Sequence, residues 1–309
     1  RDIEEKKMKT QKNRIKYQSQ LQRRKAKWGY VFLIPWLLVF AVFYAYPLAY
    51  GIIISFTDSK LGSTTYIGLR NYGKILRDYA FWRSLLAMLA YVVIAVPVIV
   101  FVPLCAANAL RRYGKKFNTA AKLLMYLPGV TCSVALILSW KYMFDPNVGM
   151  LRSVLGLFGV TKVSVFDSAR TAIPIMSLLA ACTNFGANLI IYCAALDAIP
   201  NDYYEAAELD GASKRRQFIS ITIPLLNPTI VYVFITATIG ALQIFVIPQL
   251  MTGGGPNYST STLLMLVYNT AFTNNQFGYA SAIGVILFLI TAIIAIIQFR
   301  VTRRDAVEY

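Results

Sequence analysis

Residues 198–224 read AIPNDYYEAAELDGASKRRQFISITIP. The stretch holds four acids (Asp202, Glu205, Glu208, Asp210) and three bases (Lys214, Arg215, Arg216). Charge-free sequence lies on both sides: residues 171–196 before it, and everything between Arg216 and Arg300 after it. Its local pattern is that of a capped helix, a turn and a second helix. Pro200 ends the preceding helix. Asp202 at an N-cap with Glu205 at N3 fits a capping box, and a short helix then runs to Leu209. Gly211 permits a left-handed turn, and Ser213 can cap a second short helix through Phe218. Pro224 falls near the first turn of the next apolar span, where its missing N–H costs little. Ala206 and Ala207 leave room for a partner to approach closely. The pattern by itself also fits an ordinary capped re-entry loop.

Working outward, the apolar residues are gathered rather than spread. Further charge-free runs cover 29–56, 84–110 and 123–140. The chain is 57% hydrophobic and 15% charged, with a mean hydropathy of +0.53, whereas a soluble domain carries about 25% charged residues. A helix needs about 20 apolar residues to cross about 30 Å of hydrocarbon, and lipid leaves an exposed backbone few alternatives to the helix. We therefore expect an all-α polytopic membrane protein with six transmembrane helices, at roughly 29–56, 84–110, 123–143, 171–198, 223–250 and 278–299. The interval after Arg216 holds two of these spans with a polar loop between them. The domain reading is a basic tail over 1–28, a membrane domain over 29–303 containing the loop at about 199–222, and a short tail over 304–309.

An even number of spans puts both ends on one side. With cytoplasmic ends, the inside segments hold 22 of the 31 Lys and Arg residues, which agrees with the positive-inside rule. One loop dissents: 57–83 carries Lys60, Arg70, Lys74, Arg77 and Arg83. The segment 1–28 is too long and too charged for a signal-peptide n-region, and the run after it is too long for an h-region. It reads as a retained cytoplasmic tail. The net charge of +17 sits at membrane boundaries, so it points to topology and anionic headgroups rather than to nucleic acid.

Several chemistries lack their residues. The chain has no histidine, the usual general base near neutral pH. Cys105, Cys132, Cys182 and Cys193 lie in apolar spans at spacings that fit no metal pattern. No span holds a charged residue in its interior of the kind an ion-coupled transporter uses; Lys141 and Asp197 sit near span ends. Gly68 to Ile75 imitates a phosphate-binding loop but ends in Ile where Ser or Thr must hold magnesium, and no buried strand precedes it. There is no G-x-S-x-G elbow.

The central stretch resembles the EAA loop of permease subunits in binding-protein-dependent ABC importers. That family reads EAA, three residues, Gly, nine residues, then Ile-x-Leu-Pro. Here Glu205-Ala206-Ala207 is followed at the same spacing by Gly211 and by Ile221-Thr222-Ile223-Pro224, with Ile223 in place of Leu. Asp210-Gly211-Ala212 also resembles the common wording. Within the family the chain looks most similar to carbohydrate permeases of the maltose or oligosaccharide type. Supporting stretches are Tyr66-Ile-Gly-Leu-Arg-Asn-Tyr72, then Gly253-Gly-Gly-Pro256 with Thr260 and Thr262, and Phe277-Gly-Tyr-Ala-Ser-Ala282. The resemblance implies the type I importer fold in the bacterial cytoplasmic (inner) membrane, and a non-catalytic subunit that binds no cofactor of its own. The loop would be a coupling helix seated in a cytoplasmic ATPase, with Glu205 contacting or capping and Gly211 making the turn. A second related permease subunit, two ATP-binding subunits carrying ATP and magnesium, and an extracytoplasmic solute-binding protein are implied as partners.

A sugar held within the membrane needs amides, hydroxyls and aromatic faces. Asn184, Asn188 and Tyr192 form a polar stripe on one face of span four, and Gln243 lies in span five. These polar residues could equally bond neighbouring helices. Pro97, Pro103, Pro128, Pro224, Pro228 and Pro248 lie in or at the ends of spans. The alternatives are the same architecture with a non-sugar cargo, such as a glycerol phosphodiester or amino acid, and a self-sufficient channel or membrane scaffold. The lack of buried basic residues argues against an anionic cargo.

Overall fold

The computed structural model describes residues 32–60, 62–111, 113–131, 133–156 and 165–303. The basic tail, the C-terminal tail and Cys132 lie outside them. By internal contacts the chain divides after Ile54. In the first unit, helix α1 (Phe32–Ser55) runs 24 residues and exposes its apolar side chains along its length. A π-turn at Ala41–Ala45 widens it just before Pro47, which cannot donate to the carbonyl four residues back. Trp36, Phe40 and Tyr44 stack at i, i+4 spacing on one face.

The second unit opens with an antiparallel hairpin, β1 (Thr57–Lys60) and β2 (Ser63–Tyr66), in register Thr57 with Tyr66. Helix α2 (Arg70–Ile75) follows. These strands correct the all-helical expectation. They form because Thr, Ser and Tyr suit a pleated surface and Gly62 takes a φ of 85° at the turn. The phosphate-loop imitation falls on the turn after β2 and on α2; β2 is fully exposed, unlike the buried strand that precedes such a loop.

Helix α3 (Tyr79–Leu110) is 32 residues long and remains helical through Pro97 and Pro103. It packs chiefly against α7 (Ala169–Asp197) and α10 (Asn227–Leu242). One core joins Val96, Leu104, Met176, Leu189, Tyr192 and Val233. A second joins Ile75, Met88, Leu242, Leu263 and Ile283. Helix α13 (Phe277–Arg303) closes the chain and supplies part of the second core.

Two expected spans are broken. The span at 123–143 is α4 (Lys115–Val130) and α5 (Ser133–Met143), bent by 90°. Pro128 and Gly129 weaken the end of α4. Gly129 and Gly186 are also where α4 and α7 cross closely: a Cβ on Gly186 would stand 2.4 Å from the Tyr126 Cα. The span at 223–250 is α9 (Lys214–Leu225) and α10, bent by 71°, followed after a break by α11 (Val246–Met251). The polar loop expected after it contains a further apolar helix, α12 (Leu263–Thr273), whose Leu263, Met265 and Leu266 are buried. Between α5 and α7 lies the short α6 (Met150–Gly156). Among the described residues four helices are thus long and apolar enough to cross a membrane, or up to six if each bent pair is one span.

Candidate functional site: a capped helical segment and a polar cavity

Helix α8 (Asp202–Leu209) follows α7 after a short turn, and none of its residues is buried. The capping box does not form. Asn201, with helical φ and ψ of −66° and −25°, occupies the N-cap without a side-chain cap bond, and Asp202 and Glu205 both stand in the first turn. There their charge favours the positive end of the helix. The Asn201 side chain points elsewhere: its Oδ1 accepts from Arg111 Nη2 at 2.8 Å.

The other local readings form as the sequence spells them. Gly211 has a φ of 73°. Its N–H donates to Glu208 O at 3.0 Å and Ala212 N–H to Ala207 O at 2.9 Å, a Schellman ending. Ser213 caps α9 by accepting from Arg216 N–H. Lys214 pairs with Glu208 across the turn. The Tyr204 hydroxyl meets Thr222 Oγ1 at 3.0 Å, and Gln217 Nε2 donates to Ala212 O at 3.2 Å. Pro224 stands one residue before the end of α9, in the first turn of its last short stretch, Ile223–Leu225. A π-turn at Phe218–Thr222 precedes it, because a proline cannot bond back along a regular helix. At the outer corner Leu209 is 90% exposed and Tyr203 54% exposed. Ala206 is exposed beside them and Ala207 half-buried.

A cavity of about 390 Å³ lies between α3, α5, α7 and α10. Asn184, Asn188 and Thr183 line it from α7, Thr236 from α10, and Tyr91 from α3. Asn184 Nδ2 donates to Ala180 O at 2.8 Å and Asn188 Nδ2 to Ile99 O at 3.4 Å, so both amides are oriented. Among the described residues no charged side chain lines this cavity. Tyr192 is fully buried in the core instead, and Gln243 caps the end of α10, exposed and outside the lining. Sequence spacing placed Tyr192 on the stripe correctly, but only packing shows that this end of the stripe is sealed.

The break after α10 also faces the cavity, through Ile244 to Ile247. It went unread in the sequence, although Pro248 was the signal: residue 248 has no N–H for the Ile244 carbonyl. Thr262 Oγ1 donates to that carbonyl at 2.7 Å.

The three stretches that resemble carbohydrate permeases build the opposite end of α3. Asn71, buried, donates to Ser55 O and Thr57 O, both at 2.9 Å. Gly278 lets α13 reach the hairpin, since its Cβ would stand 2.0 Å from Thr57 O. Thr260 Oγ1 donates to Gly255 O at 2.7 Å. Beside them Arg70, Lys74 and Arg77 surround a cleft of about 830 Å³ whose Tyr279 donates to Asp78 at 2.6 Å. Three of the five bases that dissent from the charge rule, Arg70, Lys74 and Arg77, thus share one cleft, brought together by the local spacing of α2.

A bundle of apolar helices around an uncharged cavity that carries a few amides and hydroxyls, with a short helix exposed at one end, has the build of a transport permease. Residues 76–305 match the family described as binding-protein-dependent transport system inner membrane component, and the chain belongs to that family. It is 31% identical over 281 residues to the multiple sugar-binding transport system permease protein of Streptococcus mutans, covering 90% of this chain and 96% of that one. To the trehalose/maltose transport system permease protein of Thermococcus litoralis it is 29% identical, covering 92% and 97%. Its fold is similar to a chain in the crystal structure of a bacterial ABC transporter involved in alginate import, with a TM-score of 0.83 at 20% identity, covering 92% of this chain and 98% of that one.

Proposed function

We propose that this chain forms half of the translocation pathway for a neutral sugar or oligosaccharide in an ATP-driven importer. In this reading the bent pairs each complete a span, giving six, and both termini are cytoplasmic in a bacterial inner membrane. Segment 199–222 seats in an ATP-binding subunit, with Glu205, Ala206, Ala207 and Asp210 at the contact, Gly211 setting the turn and Pro224 closing the segment. Two such subunits hold ATP and magnesium. A second related permease completes the pathway, and an extracytoplasmic solute-binding protein delivers the cargo. ATP binding closes the ATPase pair, the coupling segment moves, and the bundle alternates its access.

The observation that carries this is the exposed α8, closed at its C-terminal end by the Gly211 turn and held at the end of a bundle whose cavity bears hydroxyls and amides. The sugar-binding, arabinooligosaccharide, diacetylchitobiose and trehalose/maltose systems named among the relatives support a carbohydrate cargo. A lining without charge suits neutral hydroxyl-rich solutes better than anions. Within it Asn184 and Asn188 are the residues we assign to substrate; Tyr192 and Gln243, assigned with them from the sequence, stand behind and beside the lining.

The test is purification of the tagged chain from its native membrane in mild detergent, with mass spectrometry of its companions. A second permease and a Walker-motif ATPase are expected, with hydrolysis stimulated by a sugar-loaded binding protein. Recovery of the chain alone, where other complexes survive, would overturn the reading in favour of a self-sufficient channel or scaffold.

A further inference from the structure

The coupling segment is joined by covalent chain to α7 on one side and to α10 on the other. The third long cavity helix, α3, has no such link: Arg111, the residue that ends it, lies 90 positions before Asn201. The fold nevertheless ties them. The Arg111 guanidinium lies over the Tyr204 ring, 4.1 Å from its centroid, while Nη2 donates to Asn201 Oδ1 at 2.8 Å. Tyr204 passes the tie onward, since its hydroxyl meets the buried Thr222 of α9. No carboxylate forms an ion pair with Arg111 among the described residues, so its charge is committed to the ring and the amide.

We propose that Arg111 is a positioning residue that locks the coupling segment to α3, so that a displacement of α8 moves the α3 wall of the cavity together with α7. A planar guanidinium suits the task because it stacks and donates at once, which an ammonium does only in part. A helix is stiff over this distance. Ile99, which lines the cavity, lies about 18 Å along α3 from Arg111 at 1.5 Å per residue. Without the tie, motion of α8 reaches α3 only by way of α7 and α10, through their packing and the Asn188 Nδ2–Ile99 O bond. The proposal rests on the coupling role assigned above to segment 199–222.

The experiment uses the complete complex in liposomes, with basal hydrolysis, hydrolysis stimulated by loaded binding protein, and sugar uptake measured together. Uptake by the wild-type complex is scored first; its absence would overturn the functional reading itself. Arg111→Met keeps the length of the side chain and is expected to assemble with wild-type basal hydrolysis. Sugar moved per ATP should fall about tenfold, the order of one cation–π contact with one charged hydrogen bond. Arg111→Lys should recover part of the loss, and Arg111→Met should add little in a Tyr204→Leu background. Wild-type uptake per ATP in Arg111→Met overturns the proposal. So does a loss of assembly that Arg111→Lys leaves unrepaired, which marks a merely structural residue.

Discussion

The Thr262 hydroxyl caps two things at once: it donates to Ile244 O at 2.7 Å and accepts from Met265 N–H at the start of α12. The first bond exists because Pro248 cannot supply the N–H that a continuous helix would bring to Ile244. One hydroxyl therefore stabilises a break in a cavity-lining helix and fixes where α12 begins.

Thr262→Val removes both bonds without changing shape much. It leaves the half-buried Ile244 carbonyl without this donor, which costs about 0.5–1.5 kcal/mol. A lower melting temperature of the detergent-solubilised complex should follow, with Thr262→Ser close to wild type. An unchanged melting temperature in Thr262→Val would mean that another donor satisfies Ile244.

Gly186→Ala places a methyl 2.4 Å from a backbone atom of α4. Backbone cannot step aside as a side-chain tip can, so the two helices must separate, at about 1–3 kcal/mol or more. Gly73→Ala in α2 is the control, because its Cβ would meet nothing within 4 Å among the described residues. Thermal stability should drop for the first and stay within error for the second.

At Gly211 the constraint is backbone conformation alone. Its φ is 73° and its Cβ would meet nothing within 4 Å among the described residues. Gly211→Asn should keep most sugar-stimulated hydrolysis, since Asn tolerates left-handed backbone, whereas Gly211→Val loses about 1–2 kcal/mol locally and Gly211→Pro cannot adopt the φ at all. Uptake should fall in that order while membrane insertion stays intact. Glu205→Lys should likewise abolish uptake, by reversing a charge in the first turn of α8. Equal uptake by all four variants would remove segment 199–222 from the coupling role.

In the cavity, Asn184→Leu should raise the half-saturating sugar concentration, or abolish uptake, while leaving basal hydrolysis unchanged. Gln243→Leu, outside the lining, should do neither. The paired uptake curves separate a substrate contact from a helix-stabilising one.

Local chemistry made much of the coupling segment legible. Gly211 and Ser213 act on neighbours one to three residues away, and no distant group competes for them. Asp202 failed as a cap because the residue before it is already helical and its amide is held by Arg111 from another helix. The spans divide the same way. Charge-free runs mark where lipid-compatible helices lie, since burying a charge there is costly at any position. They do not mark breaks: at Ile244 to Phe245 the helix stops where Pro248 has removed a donor and the Thr262 hydroxyl replaces it.

The sequence by itself determined the class of this protein, its apolar spans and the motif that joins two of them, because hydrophobic run length and turn chemistry are properties of contiguous residues. Only the tertiary structure decided that Asn184 faces a cavity while Tyr192 is sealed in the core, that Tyr279 reaches Asp78 beside the α2 bases, and that Arg111 meets Asn201 and Tyr204. Each of those depends on contacts between residues far apart in the chain, which packing alone brings together.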